Sequence, residues 1–328
     1  MVAQAVQAEL LIPCGVLAVT STGHPMRVEA FSSQQGPAVS AASLFYLASL
    51  TKPILATAVL QLVERGLLSL AIPLHVYLPE FCGKEREAVT AWHLLTHTSG
   101  LPEIDWETAL RAWPERAVSF EVACTVPLEF APGQRIGYST LSFFVLAELL
   151  ERLGGQAYPT FLKEHIFTPL DMRETTFRPL KQGQQMVPIQ GISAGTALDE
   201  QAATEVLISL ALPGAGLWST AGDLMRFGQA CLSQHHVVSA ATQQWMTRDH
   251  TGTRVPGGAT PAPYGLGWHK STLTGRWPGS SLVFEQDGAA GSWLWIDPET
   301  ELVMVFLTSA FGTDGRVPQH VIGALYGI

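Results

Sequence analysis

Charge is scarce in this chain. Only 14% of its 328 residues are Asp, Glu, Lys or Arg, and lysine occurs at five positions: Lys52, Lys84, Lys163, Lys181 and Lys270. Lysine and arginine total 19 against 28 acidic residues, for a net charge of −9, and the basic residues form no run or stripe. That pattern excludes a nucleic-acid-binding surface and mildly favours neutral or cationic partners over polyanions. Cysteine is also sparse. Cys14, Cys82, Cys124 and Cys231 lie far apart with no CxxC pair, so a disulfide framework or zinc knuckle is excluded and loose thiols in a reducing compartment are expected. No apolar stretch approaches the roughly 20 residues of a membrane span. The start, MVAQAVQAELLIPCG, has neither a basic segment nor a long apolar segment, so it reads poorly as a signal peptide. Leu11-Ile12-Pro13-Cys14 faintly resembles a lipoprotein cleavage box, but proline before the cysteine argues against it. A cytoplasmic location is expected. A phosphate-cradling glycine loop and a dinucleotide fingerprint are both missing, and no cofactor is expected.

What the chain has is apolar content. It is 47% hydrophobic, with a mean hydropathy of +0.20, enough for a large core or two domains. Strands are expected at Gly15–Thr20 and Met26–Phe31 around a Ser21-Thr22-Gly23 turn. A helix follows from about Ser49 to Glu64, where Ile54, Leu55, Ala58, Val59 and Leu62 form a stripe at helical spacing and Gly66 suits the stop. Further helices are expected at Val89–Leu95, Leu141–Leu153, Tyr158–Ile166, Ala221–Leu232, Ala240–Met246 and Val317–Tyr326, with a loop at Gly183–Ala197. Beyond about Pro261 the texture turns to strands: Tyr264–Trp268, Ser281–Glu285, Gly291–Ile296 and Leu302–Thr308, the last two joined by the turn Asp297-Pro298-Glu299-Thr300. Strands at both ends with helices between suit an α+β fold, and one economical arrangement pairs both ends in a single antiparallel sheet with the helical middle as an insertion.

Chemistry concentrates at Ser49-Leu50-Thr51-Lys52. Residues three apart share a helix face, so the hydroxyl and the amine converge if a helix begins here, and Pro53 suits a first turn. A serine at a helix N-terminus gains from the positive end of the dipole, and a lysine in apolar surroundings loses its proton more easily. Ser-x-x-Lys occurs often by chance, and on its own it is better read as an N-cap serine and a solvated first-turn lysine. The surrounding segments separate the two readings. Leu47–Phe81, His93–Pro102 (HLLTHTSGLP), Pro132–Glu151 (PGQRIGYSTLSFFVLAELLE), Gly214–Phe227 (GAGLWSTAGDLMRF), Tyr264–Trp268 (YGLGW) and Gly291–Ser309 resemble, in order, segments of the serine β-lactamase and penicillin-binding-protein superfamily. The branch resembled holds class C β-lactamases, D-alanyl-D-alanine peptidases and family VIII carboxylesterases.

The resemblance implies a β-lactamase/transpeptidase-like fold. Its sheet domain would comprise residues 1–70 and 258–328, with a mainly helical domain, 71–257, inserted and the active site in the cleft between them. It implies Ser49 as acylated nucleophile, Lys52 as its base and Tyr138 as a proton-transfer partner. The relatives often carry Asn two residues after that tyrosine; Thr140 stands here. Their third motif, usually Lys or His, then Thr or Ser, then Gly, aligns with Gln286-Asp287-Gly288, so the cation is lost and a carboxylate replaces the hydroxyl. The Ala289 N–H would join that of Ser49 as an oxyanion hole. Asp287 would repel a substrate carboxylate by roughly 1 kcal/mol or more at about 4 Å. The activity implied is a serine hydrolase on small neutral esters, with a β-lactamase or D-amino-acid-peptide hydrolase as alternative. From a different class comes a catalytically impaired homologue that binds a small ligand in the cleft. The expected partner is a small-molecule ester or amide, with no membrane or nucleic acid; the sequence leaves the oligomeric state open. His93 and His97, at i and i+4, lack the HExxH glutamate and are read as structural rather than zinc-binding, and His235-His236 as a surface turn.

Overall fold

The computed structural model describes residues 12–83, 85–103, 116–179, 184–192, 199–232, 237–252, 263–270, 279–311 and 316–326, with the side chains of 116–119 and 316–320 left aside. His235-His236 and part of the 183–197 loop lie outside the described residues.

The two chain ends meet in one sheet. Strands β1 (Cys14–Ser21) and β2 (His24–Ser32) come from the N-terminal side. A short pair, β3 (Phe45–Tyr46) and β4 (Trp218–Ser219), stands apart, and β5 (Phe284–Asp287), β6 (Trp293–Asp297) and β7 (Leu302–Thr308) come from the C-terminal side. The sheet order is β2-β1-β7-β6-β5. Every pairing is antiparallel, and β1 docks on β7 from Gly15 opposite Thr308 to Thr20 opposite Val303.

Both faces of this sheet are covered, which explains why β7 (LVMVFLT) reads as a continuous apolar run and is buried at every position. Val16, Ala18, Leu294, Ile296, Val303, Val305 and Leu307 face the main core. Leu17, Phe31, Trp293, Trp295, Met304 and Phe306 face the other way, onto Val321 and Ile322 of the closing helix. Edge strand β2 is largely exposed, with the charges of Arg27 and Glu29 on it, a composition that discourages pairing with a further strand.

The helices, in chain order, are α1 (Thr51–Glu64), α2 (Ala91–Leu95), α3 (Arg116–Thr125), α4 (Leu141–Gly154), α5 (Tyr158–Leu162), α6 (Glu200–Leu210), α7 (Ala221–Leu232), α8 (Ala240–Thr247) and α9 (Arg316–Tyr326). Helix α7 lies on the sheet against β7, β1 and β6, although it falls within 71–257. A Cβ on Gly228 of α7 would stand 2.6 Å from Val303 Cγ1, so this helix approaches the sheet at a distance only glycine allows.

Helix α1 runs through the centre of the molecule. The sequence suggests one apolar stripe, but every residue from Thr51 to Leu62 is buried. A helix covered on all sides must satisfy its polar groups internally. The Thr57 hydroxyl donates to Pro53 O at 2.8 Å, and Gln61 Nε2 donates to His165 O and Val237 O at 3.1 and 2.7 Å.

Several elements differ from the sequence reading. Tyr264–Trp268 is a turn rather than a strand, anchored by Gly265 N to Trp268 O, Leu266 N to Met246 O and Gly267 N to Leu95 O. Gly267 adopts φ +81, which breaks the extended run. The expected strand at Ser281–Glu285 sits at Phe284–Asp287, because Ser280 to Leu282 is held in a turn capped by Asp297. The Tyr158–Ile166 helix divides into α5 and a π-helical turn, Lys163–Phe167. Helices α3 and α6 were not expected.

Candidate active site

Ser49 sits in a single 3₁₀ turn, Ala48–Leu50, immediately before α1, not inside the helix as expected. Its side chain caps nothing; neither helix start has a side-chain cap. The turn is forced by Ala48, whose φ of +47 is left-handed, a conformation disfavoured by about 1–3 kcal/mol without glycine. It is held from outside: Leu47 N–H donates to Leu217 O at 2.9 Å, and Leu217 N–H donates to the Thr51 hydroxyl at 3.2 Å.

Three side chains separated in sequence meet here. Lys52 Nζ donates to Ser49 Oγ at 3.1 Å, and the Tyr138 hydroxyl donates to the same oxygen at 2.8 Å. Lys52 is 1% exposed and donates a second bond to Gly214 O at 3.0 Å, so the GAGLW segment fixes the amine. Its Nζ lies 4.9 Å from the Tyr138 ring centroid and 5.3 Å from that of Phe143. Burial lowers the Lys52 pKa to about 8, against the opposing pull of Glu103 and Asp287. The same burial raises Tyr138 well above an ordinary phenol. The amine is therefore the group that can lose a proton near neutrality, and the phenol keeps its own.

Tyr138 is supported from behind by His97. The rings stack at 4.4 Å with an interplanar angle of 24°, and Phe143 and Tyr264 complete the wall at 5.7 and 4.9 Å. His97 Nδ1 accepts the Ser139 N–H at 3.1 Å, and burial, followed by the nearby Lys52, holds its pKa well below the usual value. His93 is occupied elsewhere, its Nδ1 accepting the Thr90 N–H at 3.1 Å in a capping box. The two histidines thus serve separate loops.

Thr140 does not present a free hydroxyl. It donates to Glu103 Oε1 at 2.7 Å, and its N–H also meets the Glu103 carboxylate. Burial raises the Glu103 pKa, partly offset by Lys52 and by Thr140. Sequence reasoning missed Glu103, although it stands directly after the HLLTHTSGLP segment.

The Gln286-Asp287-Gly288 stretch ends β5 against the serine turn. A Cβ on Gly288 would lie 2.4 Å from Leu47 O, so glycine is required for this approach. Gln286 is 2% exposed and its amide turns back to donate to Asp287 O at 2.9 Å. Asp287 stays 63% exposed and is close enough to act on Lys52. Ala289 is exposed in the following turn, and its N–H donates to no group among the described residues. Of the expected positions, Ser49, Lys52, Tyr138 and Gly288 converge directly, Asp287 and Ala289 stand on the same strand end, Thr140 faces Glu103, and Gln286 is folded inward.

The fold is that of β-lactamases and penicillin-binding-protein homologues: a penicillin-binding protein homologue from Caulobacter crescentus superposes with a TM-score of 0.78 at 18% identity, over 100% of this chain and 97% of that one. The chain belongs to the Beta-lactamase family, which matches it across residues 2–325. Among curated relatives, Esterase EstB of Burkholderia gladioli is 31% identical over 80% of this chain and 75% of its own length. The D-alanyl-D-alanine-carboxypeptidase/endopeptidase AmpH of Escherichia coli K12 is 30% identical over 77% of this chain. The match spans 66% of AmpH, just under two thirds of its length.

Proposed function

We propose that this chain is a serine hydrolase that works through an acyl-enzyme on Ser49, and that small neutral esters are its substrates. One observation carries the reading: the Ser49 Oγ receives both the Lys52 amine and the Tyr138 hydroxyl, at 3.1 and 2.8 Å. In the proposed cycle the neutral form of Lys52 takes the Ser49 proton as Oγ attacks the ester carbonyl carbon. The oxygen that becomes negative is received by the Ser49 and Ala289 N–H groups. Tyr138, which keeps its proton at working pH, delivers it to the departing alkoxide and recovers one from Lys52. Water then enters with its proton passing along the same pair, and the carboxylic acid leaves.

Electrostatics support an uncharged acyl group. The Lys52 amine is opposed by the carboxylates of Glu103 and Asp287. A substrate carboxylate arriving beside Asp287 meets repulsion, while a neutral or cationic ester does not. Ester hydrolysis is favoured over amide hydrolysis because alkoxides leave with less protonation. The similarity to EstB is consistent with this choice, and the similarity to AmpH keeps peptide hydrolysis as the competing activity.

The test is turnover of matched p-nitrophenyl esters, short neutral acyl chains against chains ending in carboxylate, in chelator-treated buffer. Faster hydrolysis of the neutral set supports the reading. Faster hydrolysis of the carboxylate set, or turnover confined to D-alanyl peptides, would overturn it.

A further inference from the structure

We infer that His269, Glu285 and Asp287 form a binding site for one divalent transition-metal ion of the zinc type, at the edge of the sheet beside the serine turn. Glu285 and Asp287 are alternate residues of β5, so both side chains leave the same face of the strand. His269 is held across from them by reciprocal backbone bonds, its N–H to Glu285 O at 2.9 Å and the Glu285 N–H to His269 O at 3.1 Å. The frame is therefore rigid backbone rather than mobile loop.

The side-chain spacing points to a shared ion rather than to direct bonding. His269 Nδ1 lies 3.8 Å from Glu285 Oε1 and 4.0 Å from Asp287 Oδ1, and the three donor atoms all fall within 4.8 Å of one another. Ligands about 2.1 Å from a tetrahedral ion stand about 3.4 Å apart, so small side-chain rotations close the set. One nitrogen and two carboxylate oxygens, with a fourth position open to solvent beside the exposed Asp287, suit zinc and its neighbours better than calcium or magnesium.

One further feature fits a ligand set, and the outer contacts of His269 complete its description. The second Glu285 oxygen accepts the Trp293 indole N–H, the kind of outer contact that orients a ligating carboxylate. His269 is 8% exposed, and its Nε2 has no hydrogen-bond partner among the described residues. With Nδ1 facing the carboxylates and offering its lone pair to the ion, the ring proton sits on Nε2.

The consequence is chemical. The third motif of this chain has lost its cation, and an ion bound at Asp287 restores positive charge to the same strand end. The site then attracts the carboxylates that the metal-free cleft repels. Its existence does not depend on Ser49 acting as nucleophile.

Isothermal titration of Zn²⁺ into chelator-stripped protein, with Mg²⁺ as comparison, tests the site. The expected result is one Zn²⁺ per chain with micromolar or tighter affinity, and no Mg²⁺ binding in that range. His269→Gln and Asp287→Asn should each weaken Zn²⁺ binding about tenfold or more, in line with losses seen even for outer-sphere partners. Asp287 is exposed, so Asp287→Asn remains interpretable should the buried His269 variant fail to fold. No zinc binding below about 100 μM, or affinity unchanged in Asp287→Asn, would overturn the proposal.

Discussion

Gly288 and Leu47 are in contact through backbone: a Cβ at Gly288 would stand 2.4 Å from the Leu47 carbonyl oxygen. This contact locks the end of β5 to the turn that carries Ser49, and so sets where the Ala289 N–H lies relative to the proposed nucleophile. Gly288→Ala must push the two apart. Displacements of this order at a reacting centre lower rates by about 100-fold, and overpacking costs about 1–3 kcal/mol. The expected outcome is a folded variant with a lower thermal midpoint and ester turnover reduced by one to two orders of magnitude. Turnover equal to wild type would show that the spacing is not critical.

Lys52 is expected to cost the fold stability. Its pKa falls from 10.5 in the unfolded chain to about 8 in the native protein. Between these values the unfolded state binds more protons, so stability rises as pH rises from about 8 to about 10.5, and the penalty is fully present below pH 8. Lys52→Met keeps the volume and removes the charge. It should be inactive, yet more stable than wild type by about 2–3 kcal/mol at pH 7, with the difference shrinking toward pH 10. Chemical denaturation at both pH values checks this; a variant less stable at pH 7 would contradict it.

Glu103 tunes the same amine. Its carboxylate raises the Lys52 pKa, opposing burial. In wild type, kcat/KM should climb with pH through about 8, if the neutral amine acts as the proposed base. Removing the negative charge in Glu103→Gln leaves Asp287 alone to oppose burial, so the profile should move to lower pH. A pH–rate profile on both proteins decides, and a shift to higher pH would contradict the assignment of Lys52.

The proposed reading gives Asp287 the choice between charged and uncharged acyl groups. Asp287→Asn removes roughly 1 kcal/mol of repulsion toward a carboxylate ester, about a fivefold change in the ratio of kcat/KM values for the paired substrates in chelated buffer. The neutral ester should be little affected. An unchanged ratio would show that Asp287 does not face the acyl group.

Much of this architecture was legible in the residues. The alternation and turn signals located β1, β2, β6 and β7, and apolar spacing located α1, α4 and α7. What the sequence hid depends on tertiary context. Ala48 is an ordinary helix former whose left-handed φ sits beside the long-range backbone bond from Leu47 N–H to Leu217 O. Thr140 stands where an amide-binding Asn is common, but only the folded chain shows its hydroxyl held by Glu103, 37 positions away. Helix α6 starts at an Asp199 cap and buries Ala203, Leu207 and Leu210, a short stripe set among Glu200, Gln201, Thr204 and Glu205. His97, read as merely structural, forms the surface on which Tyr138 stacks.

The most direct test of Ser49 as nucleophile is intact-mass spectrometry after incubation with a fluorophosphonate, on wild type and Ser49→Ala. A single adduct on wild type, mapped to the peptide holding Ser49 and missing from Ser49→Ala, is the expected result. No adduct on well-folded wild-type protein, or an adduct that persists in Ser49→Ala, would contradict the account and leave the Ser49–Lys52–Tyr138 cluster as scaffold for a binding cleft.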